Sequence, residues 1–305
     1  DQFFVPTRDD HQLGATVIRG LRRAGINCRT FLPTRTPWST LYSNLRNHRK
    51  LLIVDGRVSF SGGMNIRESC RLDWNTARPV QDLHFRFEGP VSLHMQEAFA
   101  VDWCFAAGEV LHGEPWFPAD VGPCGNAWCR GIPDGPDEDF EKLKMTILGA
   151  ISVARDTITI VTPYFLPDDS IMAALNVAAM RGIQVRILIP QVNNIALVQW
   201  ASLAGLPELL ERGCQVFLTP PPFDHTKLFL IDGVWSLVGS TNWDPRSLRL
   251  NFEFNVECYD PQLAQALTLI AEDKRQRSRQ VTLQELRSRS VLPRLRDGVA
   301  RLASP

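Results

Sequence analysis

Two stretches of the chain carry the same succession of apolar and polar positions. TITIVTPYFLPDDS (157–170) is predicted to be a buried strand stopped by Pro167, with helix-start acids at Asp168 and Asp169. IMAALNVAAMRGIQVRILIP (171–190) continues as a helix, a turn at Gly182 and a second buried strand. Near the start, FFVPTRDDHQLGATVIRGLRRAGINCRTFLP (3–33) repeats that order: apolar residues, Pro6, acids, helix, Gly25, strand. Strand–helix–strand units with apolar strands predict an α/β fold, a parallel sheet covered by helices. A Gly/Pro-rich stretch from about 113 to 137 separates the copies, which divides the chain near 135 into halves 1–135 and 136–305. The acids at 137–141 then open the first helix of the second half. The first copy lacks a strand's worth of sequence before FFVP and the chain begins at Asp, so the native protein is expected to extend upstream, where any anchor would lie.

The longest uncharged run, ILIPQVNNIALVQWASLAGLP (187–207), has the length of a membrane span. Pro190, Gln191, Asn193, Asn194 and Gln199 make it a poor one, and it is read as the end of a buried strand followed by a helix. That helix carries Leu197, Val198, Trp200, Leu203 and Leu206, a stripe that fits either core or a lipid-facing surface. The opening DQFFVPTRDD has neither the basic nor the apolar region of a signal peptide.

Composition adds one point. The 305 residues have 44% hydrophobic content and no net charge, which argues for a folded core and against bulk capture of nucleic acid. Zero conceals an asymmetry: residues 274–301 hold nine basic side chains against two acids, so the remainder is net acidic. Leu283, Leu286, Val291, Leu292, Leu295, Val299 and Leu302 are interspersed among those cations. A basic, leucine-bearing helical segment fits an anionic lipid surface, a partner helix, or simple packing on its own domain. The seven cysteines form no CxxC pair, so neither a disulfide framework nor a zinc site is suggested, and a reducing compartment is expected.

The chemistry sits in a second repeat. NHRKLLIVDGRVSFSGGMNI (47–66) and DHTKLFLIDGVWSLVGSTNW (224–243) each contain HxKxxxxDG followed by Gly-x-x-Asn. The residues are His48, Lys50, Asp55, Gly62 and Asn65, then His225, Lys227, Asp232, Gly239 and Asn242, at identical separations. One such motif is weak; two in register with a repeat are strong. The run from His to Asp reads as a strand, on which His and Lys share a face while Arg49 and Thr226 point away. A tight Asp-Gly turn follows and a second strand returns, bringing Asn65 and Asn242 back beside their own His–Lys pairs. Two facing units would supply two imidazoles, two ammonium groups and two carboxamides around one space, an inventory suited to a phosphodiester. Lysines and amides would stabilise the phosphoryl oxygens, one imidazole would attack phosphorus and the other would protonate the leaving oxygen. With the cations built in, no metal or cofactor is expected.

At these motifs the sequence resembles the phospholipase D superfamily and, more narrowly, the bacterial cardiolipin synthases. NLRNHRKLLIVDG, GGMNI, QDLHFRFEGPV (81–91), VDWCF, TPYFLPD and GSTNWDPRSLRLNFEFNVE (239–257) carry the resemblance, which runs from about residue 3 to the end. It implies two similar α/β/α sandwiches with pseudo-twofold symmetry and one active site at their interface. It also implies a phosphohistidine intermediate, with His48 as nucleophile and His225 as acid then base, although the motif symmetry leaves the reverse open. Catalytic histidines need acidic partners. Glu253, 28 residues after His225, stands where the superfamily carries one, and Asp82 in QDLHF is its first-half counterpart. Asp55 and Asp232, on the opposite parity to His and Lys, are expected to hold the turn or pair with a base rather than transfer protons. A departure occurs at Gly63, where the second half has Ser240, so a hydroxyl donor is present on one side only. His11, His84, His94 and His112 lack a Lys at i+2 and are read as loop or packing residues.

The resulting expectation is a phosphatidyltransferase acting on phosphatidylglycerol, with phosphatidylglycerol or phosphatidylethanolamine as donor. It would work against an anionic membrane surface on the cytoplasmic face of a bacterial inner membrane, with or without a helper protein and without nucleic acid. The competing readings are a phospholipase D or nuclease using water, and a catalytically silent membrane-bound scaffold.

Overall fold

The computed structural model describes residues 2–5, 11–32, 45–73 and 75–303. The first half opens with β1 (Gln2–Val5), α1 (His11–Arg23) and β2 (Asn27–Thr30), and β1 and β2 run parallel with Gln2 opposite Asn27. Next come β3 (Arg46–Asn47), β4 (Leu51–Val54), β5 (Val58–Gly62), β6 (Val80–Gln81), β7 (His84–Glu88) and α2 (Val91–Ala107). α2 is stopped by Gly108, whose left-handed φ of 69° closes the last turn by donating its N–H to Cys104 O. β8 (Trp128–Asp134) follows, inside the Gly/Pro-rich stretch that the sequence reads as a separator. Gly131 and Pro133 lie within the strand, which pairs along β15 all the same.

The second half contains α3 (Lys142–Val153), β9 (Thr157–Val161), α4 (Asp169–Met180), β10 (Gln184–Pro190), α5 (Ala196–Glu211) and β11 (Gln215–Thr219). It continues with β12 (Phe223–Asp224), β13 (Leu228–Ile231), β14 (Trp235–Gly239), α6 (Pro245–Arg249), β15 (Asn251–Tyr259) and α7 (Pro261–Gln276). β16 (Arg279–Gln280), α8 (Leu283–Ser288) and α9 (Val291–Ala303) complete the chain. Asp168, the expected helix start, is the N-cap of α4 and accepts the N–H of Ile171 at 3.0 Å.

The main sheet runs β16-β11-β10-β9-β13-β14-β15-β3, with β8 also lying along β15. β9, β10 and β11 are parallel, as strand–helix–strand units require, and β13 to β15 are antiparallel. Side chains alternate between two apolar layers. Ile158, Ile160, Ile187 and Phe229 pack with α3, α4 and α5, while Val161, Leu188, Leu228 and Leu230 pack with α2 and α7. Burial on both faces explains why these strands read as continuous apolar runs. The helix α2 comes from the first half, so the two halves share one core.

This is one α/β/α sandwich. Among the described residues the strands of the first half are shared out: β1 pairs with β2, β4-β5-β7 form a separate sheet, β6 pairs with β12, and β3 and β8 join the main sheet. The run 187–207 is the end of β10 followed by α5, as its polar residues require, and among the described residues no helix is long and apolar enough to cross a membrane. Leu206 is buried, Leu203 packs on the core and Leu197 is exposed, so the α5 stripe is core at its C-terminal end only. Cys124 is exposed, whereas Cys129 faces Cys258 across β8 and β15 with 3.3 Å between sulfurs.

Candidate active site

Each His–Lys segment enters beside the other half's carboxylate. β3 runs parallel to β15, with Asn47 opposite Phe252, and the His48 N–H donates to Phe252 O at 2.8 Å. β12 runs parallel to β6, with Asp224 opposite Gln81, and the His225 N–H donates to Gln81 O at 2.7 Å. The two pairings share one register, which sets each histidine against the residue that follows its backbone acceptor. His48 Nδ1 lies 2.9 Å from both Glu253 oxygens, and His225 Nδ1 lies 2.7 Å from Asp82 Oδ2. The carboxylates are those expected from sequence, and they serve across the halves. His and Lys precede β4 and β13 in extended backbone rather than lying within the strands.

The two carboxylates are supported differently. Glu253 is fully buried and accepts from Ser240 Oγ at 2.5 Å and Asn251 Nδ2 at 3.1 Å. Burial opposes its charge, but His48, Lys50 and Ser240 together hold its carboxyl below the usual range. Asp82 accepts the N–H of Leu83 at 2.8 Å, and a methyl group on Gly63 would fall 2.4 Å from its Oδ1. Gly63 therefore makes room for the Asp82 carboxylate where the other half uses a Ser240 hydroxyl. That accounts for the asymmetry seen in sequence.

Lys50 Nζ donates to His48 O at 2.7 Å and Lys227 Nζ to His225 O at 2.5 Å. Lys227 Nζ also lies 2.7 and 3.0 Å from the two ring nitrogens of His225 and 4.0 Å from Asp82. Burial lowers Lys50 to about 8 and Lys227 to about 7, against the pull of Asp82 and Glu253. Burial and the neighbouring Lys227 ammonium lower His225 to about 4, with Asp82 opposing. His48 is lowered by burial and Lys50, with Glu253 opposing. With Nδ1 of each ring on a carboxylate, Nε2 is left as the reacting atom. The His48 side chain is 27% exposed and that of His225 12%.

The intervening residues point away, as the parity predicts, and are pinned by buried ion pairs of opposite polarity. Arg49 Nη1 and Asn47 Nδ2 each donate to Asp102 of α2 at 2.8 Å, and Arg49 Nε donates to Glu253 O at 3.0 Å. On the other strand Asp224 Oδ2 accepts from Lys274 of α7 at 2.6 Å, and Lys274 lies 3.4 Å from the Thr226 hydroxyl. Lys274→Met leaves Asp224 buried without its cation. We expect a loss of about 3–5 kcal/mol of stability, read from the urea unfolding midpoint.

The other residues singled out from sequence fall elsewhere. Asp55 and Asp232 belong to the turns and not to the reacting cluster. Both adopt positive φ (55° and 53°) ahead of a glycine, and the turns close through Arg57 N–H to Val54 O and Val234 N–H to Ile231 O. Asp232 accepts the N–H groups of Arg155, Asp156 and Thr157 at 2.8–2.9 Å, tying the hairpin to the start of β9. Burial disfavours its charge, but the three donors outweigh it and hold its carboxyl low. Asp55 is exposed. Asn242 is buried with Nδ2 on Ser247 Oγ at 3.2 Å, so its amide is directed at α6 rather than at its His–Lys pair. Asn65 is half-buried, and its backbone carbonyl accepts from Arg67. Sequence reasoning missed Arg67, whose charge reaches Lys50, and Tyr164, whose ring stands edge-on to His225 at 6.3 Å. The phrases GGMNIR and TPYF contain them, but neither residue belongs to the repeated HxKxxxxDG and Gly-x-x-Asn positions.

Residues 147–273 match the family described as cardiolipin synthase, PLD-like domain. The chain is similar to cardiolipin synthase A of Pseudomonas fluorescens, 36% identical over 97% of this chain and 61% of that protein. It is 35% identical to the major cardiolipin synthase ClsA of Bacillus subtilis, over 96% of this chain and 62% of the relative. The chain thus spans about three fifths of the length of these curated relatives. A solved phosphatidylserine synthase from Haemophilus influenzae shares the fold, with a TM-score of 0.69 at 13% identity over 99% of this chain and 89% of that one. The chain therefore carries a phospholipase D-like domain of the cardiolipin synthase family, within a sequence similar to bacterial cardiolipin synthases over almost its whole length.

Proposed function

We propose that the protein is a phosphatidyltransferase that makes cardiolipin from phosphatidylglycerol. The observation that carries this reading is the convergence of two carboxylate-held histidines with the buried Lys227 and the half-buried Lys50 on one site. In the first step His48 Nε2 attacks the phosphorus of one phosphatidylglycerol. The P–O bond to the terminal glycerol breaks, a P–N bond forms, and the imidazolium of His225, favoured over its free-enzyme value of about 4 by Asp82 and the bound phosphodiester anion, gives the departing alkoxide its Nε2 proton. In the second step neutral His225 takes the proton from the terminal hydroxyl of another phosphatidylglycerol, whose oxygen displaces His48. The products are cardiolipin and free glycerol, and the bonds broken and made are alike, so the reaction runs both ways. Lys50 and Lys227 hold the non-bridging oxygens in both steps. His48 is assigned as nucleophile because it is the more exposed ring and because Lys227 crowds the His225 nitrogens.

Phosphatidylglycerol liposomes, with and without phosphatidylethanolamine, test this by mass spectrometry of the products. Cardiolipin is expected, and dependence on the second lipid names the donor. Phosphatidic acid alone overturns the transferase and makes water the acceptor.

The lowered lysines give the rate a direction in pH. Their charged form is present below their pKa values and is lost as pH rises. The pair, at about 7 and 8 in the free enzyme, should impose a falling limb on kcat/KM across that range. On the acid side His48 must be neutral to attack; its lowered pKa keeps it so through the ordinary histidine range and below it. A bound phosphodiester anion raises the lysines again, so the falling limb of kcat should lie at higher pH than that of kcat/KM. The profile is measured with a short-chain, monomeric phosphatidylglycerol from pH 5 to 9.

A further inference from the structure

The last helix presents an apolar face that the fold does not cover. At 3.6 residues per turn, Val291, Leu302, Leu295, Val299 and Leu292 of α9 fall within an arc of about 100°. All five are exposed, Leu292 by 78% and Leu302 by 90%, while Asp297 and Ala300 on the opposite side are buried. Arginines flank the arc: Arg294 and Arg301 on one side, Arg296 on the other. The helix's single acid, Asp297, is engaged by Arg289 at 2.7 Å and Arg296 at 2.8 Å. Five arginines against one acid between 287 and 301 leave this surface positive, even with Arg287 paired to Glu211 of α5.

Its position relative to the site follows from two contacts. Arg296 stacks on Trp200 at 4.4 Å, and Arg301 passes over Gly205, where a methyl group would meet its Nη1 at 3.5 Å. The sequence offset is the same in both, so α9 and α5 run parallel and in step, and the first turn of α9 lies level with Ile195. Ile195 and Leu197, at that level, are themselves exposed apolar residues. The adjoining Asn194 accepts the Tyr164 hydroxyl at 2.8 Å, and Tyr164 packs on His225. The start of α5, level with the first turn of α9, is thereby tied to the His225 side of the site.

We propose that α9, with the first turn of α5, seats the protein on an anionic bilayer. The apolar arc enters the headgroup–acyl boundary, the arginines meet lipid phosphates, and the site is held at headgroup level. An apolar sector edged by cations has the chemistry of an interfacial helix rather than of a protein partner's acidic groove. The inference rests on the substrate being a phospholipid of that surface.

Cosedimentation with vesicles of phosphatidylglycerol and phosphatidylcholine, against phosphatidylcholine alone, tests it. Wild type should bind the anionic vesicles at least about tenfold more tightly, and added salt should weaken binding. L292Q/L295Q/V299Q should lose at least about tenfold in that binding and in turnover of vesicular lipid, at an unchanged unfolding midpoint. R294E should weaken binding to anionic vesicles alone. Equal binding by the triple variant and wild type overturns the proposal. So does a wild-type oligomer that the triple variant dissolves without change in vesicle binding, which makes the face a contact between copies. Turnover of monomeric short-chain phosphatidylglycerol, expected to be the same in both proteins, decides the chemistry separately. If it is absent in wild type, the phosphatidyltransferase reading fails while vesicle binding still decides the surface.

Discussion

A His48→Ala protein should form no phosphoenzyme and make cardiolipin at least about 10⁴-fold more slowly than wild type, because no other group at the site can replace its nitrogen as the attacking atom. His225→Ala should lose a comparable factor on the natural lipid, where the departing alkoxide needs a proton. The double variant should be scarcely worse than either single one, since residues acting as a unit are not additive. Neither change should unfold the chain. Glu253 keeps Ser240 and Asn251 when His48 is removed, and Asp82 keeps the Leu83 N–H when His225 is removed. Acid quench followed by mass spectrometry of the peptides spanning 46–50 and 223–227 reads the result directly. Phosphate on His225 in the His48→Ala protein would reverse the assignment of nucleophile and base.

Much of this site was legible in the sequence because its signals are local. The two HxKxxxxDG motifs announce a strand and a turn whose spacing places His beside Lys and sends Arg49 and Thr226 the other way. The structure has them so, with Arg49 on Asp102 and Thr226 near Lys274. The Asp-Gly turns at 55–56 and 232–233 follow from the positive φ both positions need. What the sequence could not give is pairing between segments far apart. Glu253 meets His48 from 205 residues away and Asp82 meets His225 from 143. Register between β3 and β15, and between β12 and β6, decides this, and nothing within either motif encodes it. Asn242 is held by a residue outside its motif for a related reason. Its spacing from His225 is regular, but Ser247 in α6 competes for the amide. The β8 strand was hidden by its composition, since Gly131 and Pro133 within it, and glycine and proline on both sides, disguise seven residues that complete the sheet along β15.

The crossed pairing makes a prediction that a within-half pairing would not. Glu253→Gln leaves a group of the same shape, but one whose amide can donate to His48 Nδ1 and favour the wrong tautomer. Loss of the nucleophile's orientation and charge support should cost about 10³–10⁴ in the first step, on the scale of an acid-to-amide change in a histidine–carboxylate pair. Asp82→Asn does the same to His225, which acts only on the leaving and entering oxygens. The two variants should therefore separate on a phosphatidyl ester of p-nitrophenol, whose leaving group departs without a proton. Asp82→Asn should still release p-nitrophenol in a rapid burst and then accumulate phosphohistidine, because the acceptor hydroxyl has lost its base. Glu253→Gln should show neither burst nor intermediate, because the attack itself is impaired. A burst in Glu253→Gln and none in Asp82→Asn would mean that the roles of the histidines are exchanged. Identical behaviour of the two would mean that the carboxylates serve the site's charge in common rather than one histidine each. The short contacts favour separate roles: 2.9 Å on one side, 2.7 Å on the other, and a Ser240 hydroxyl that, of the two carboxylates, supports Glu253.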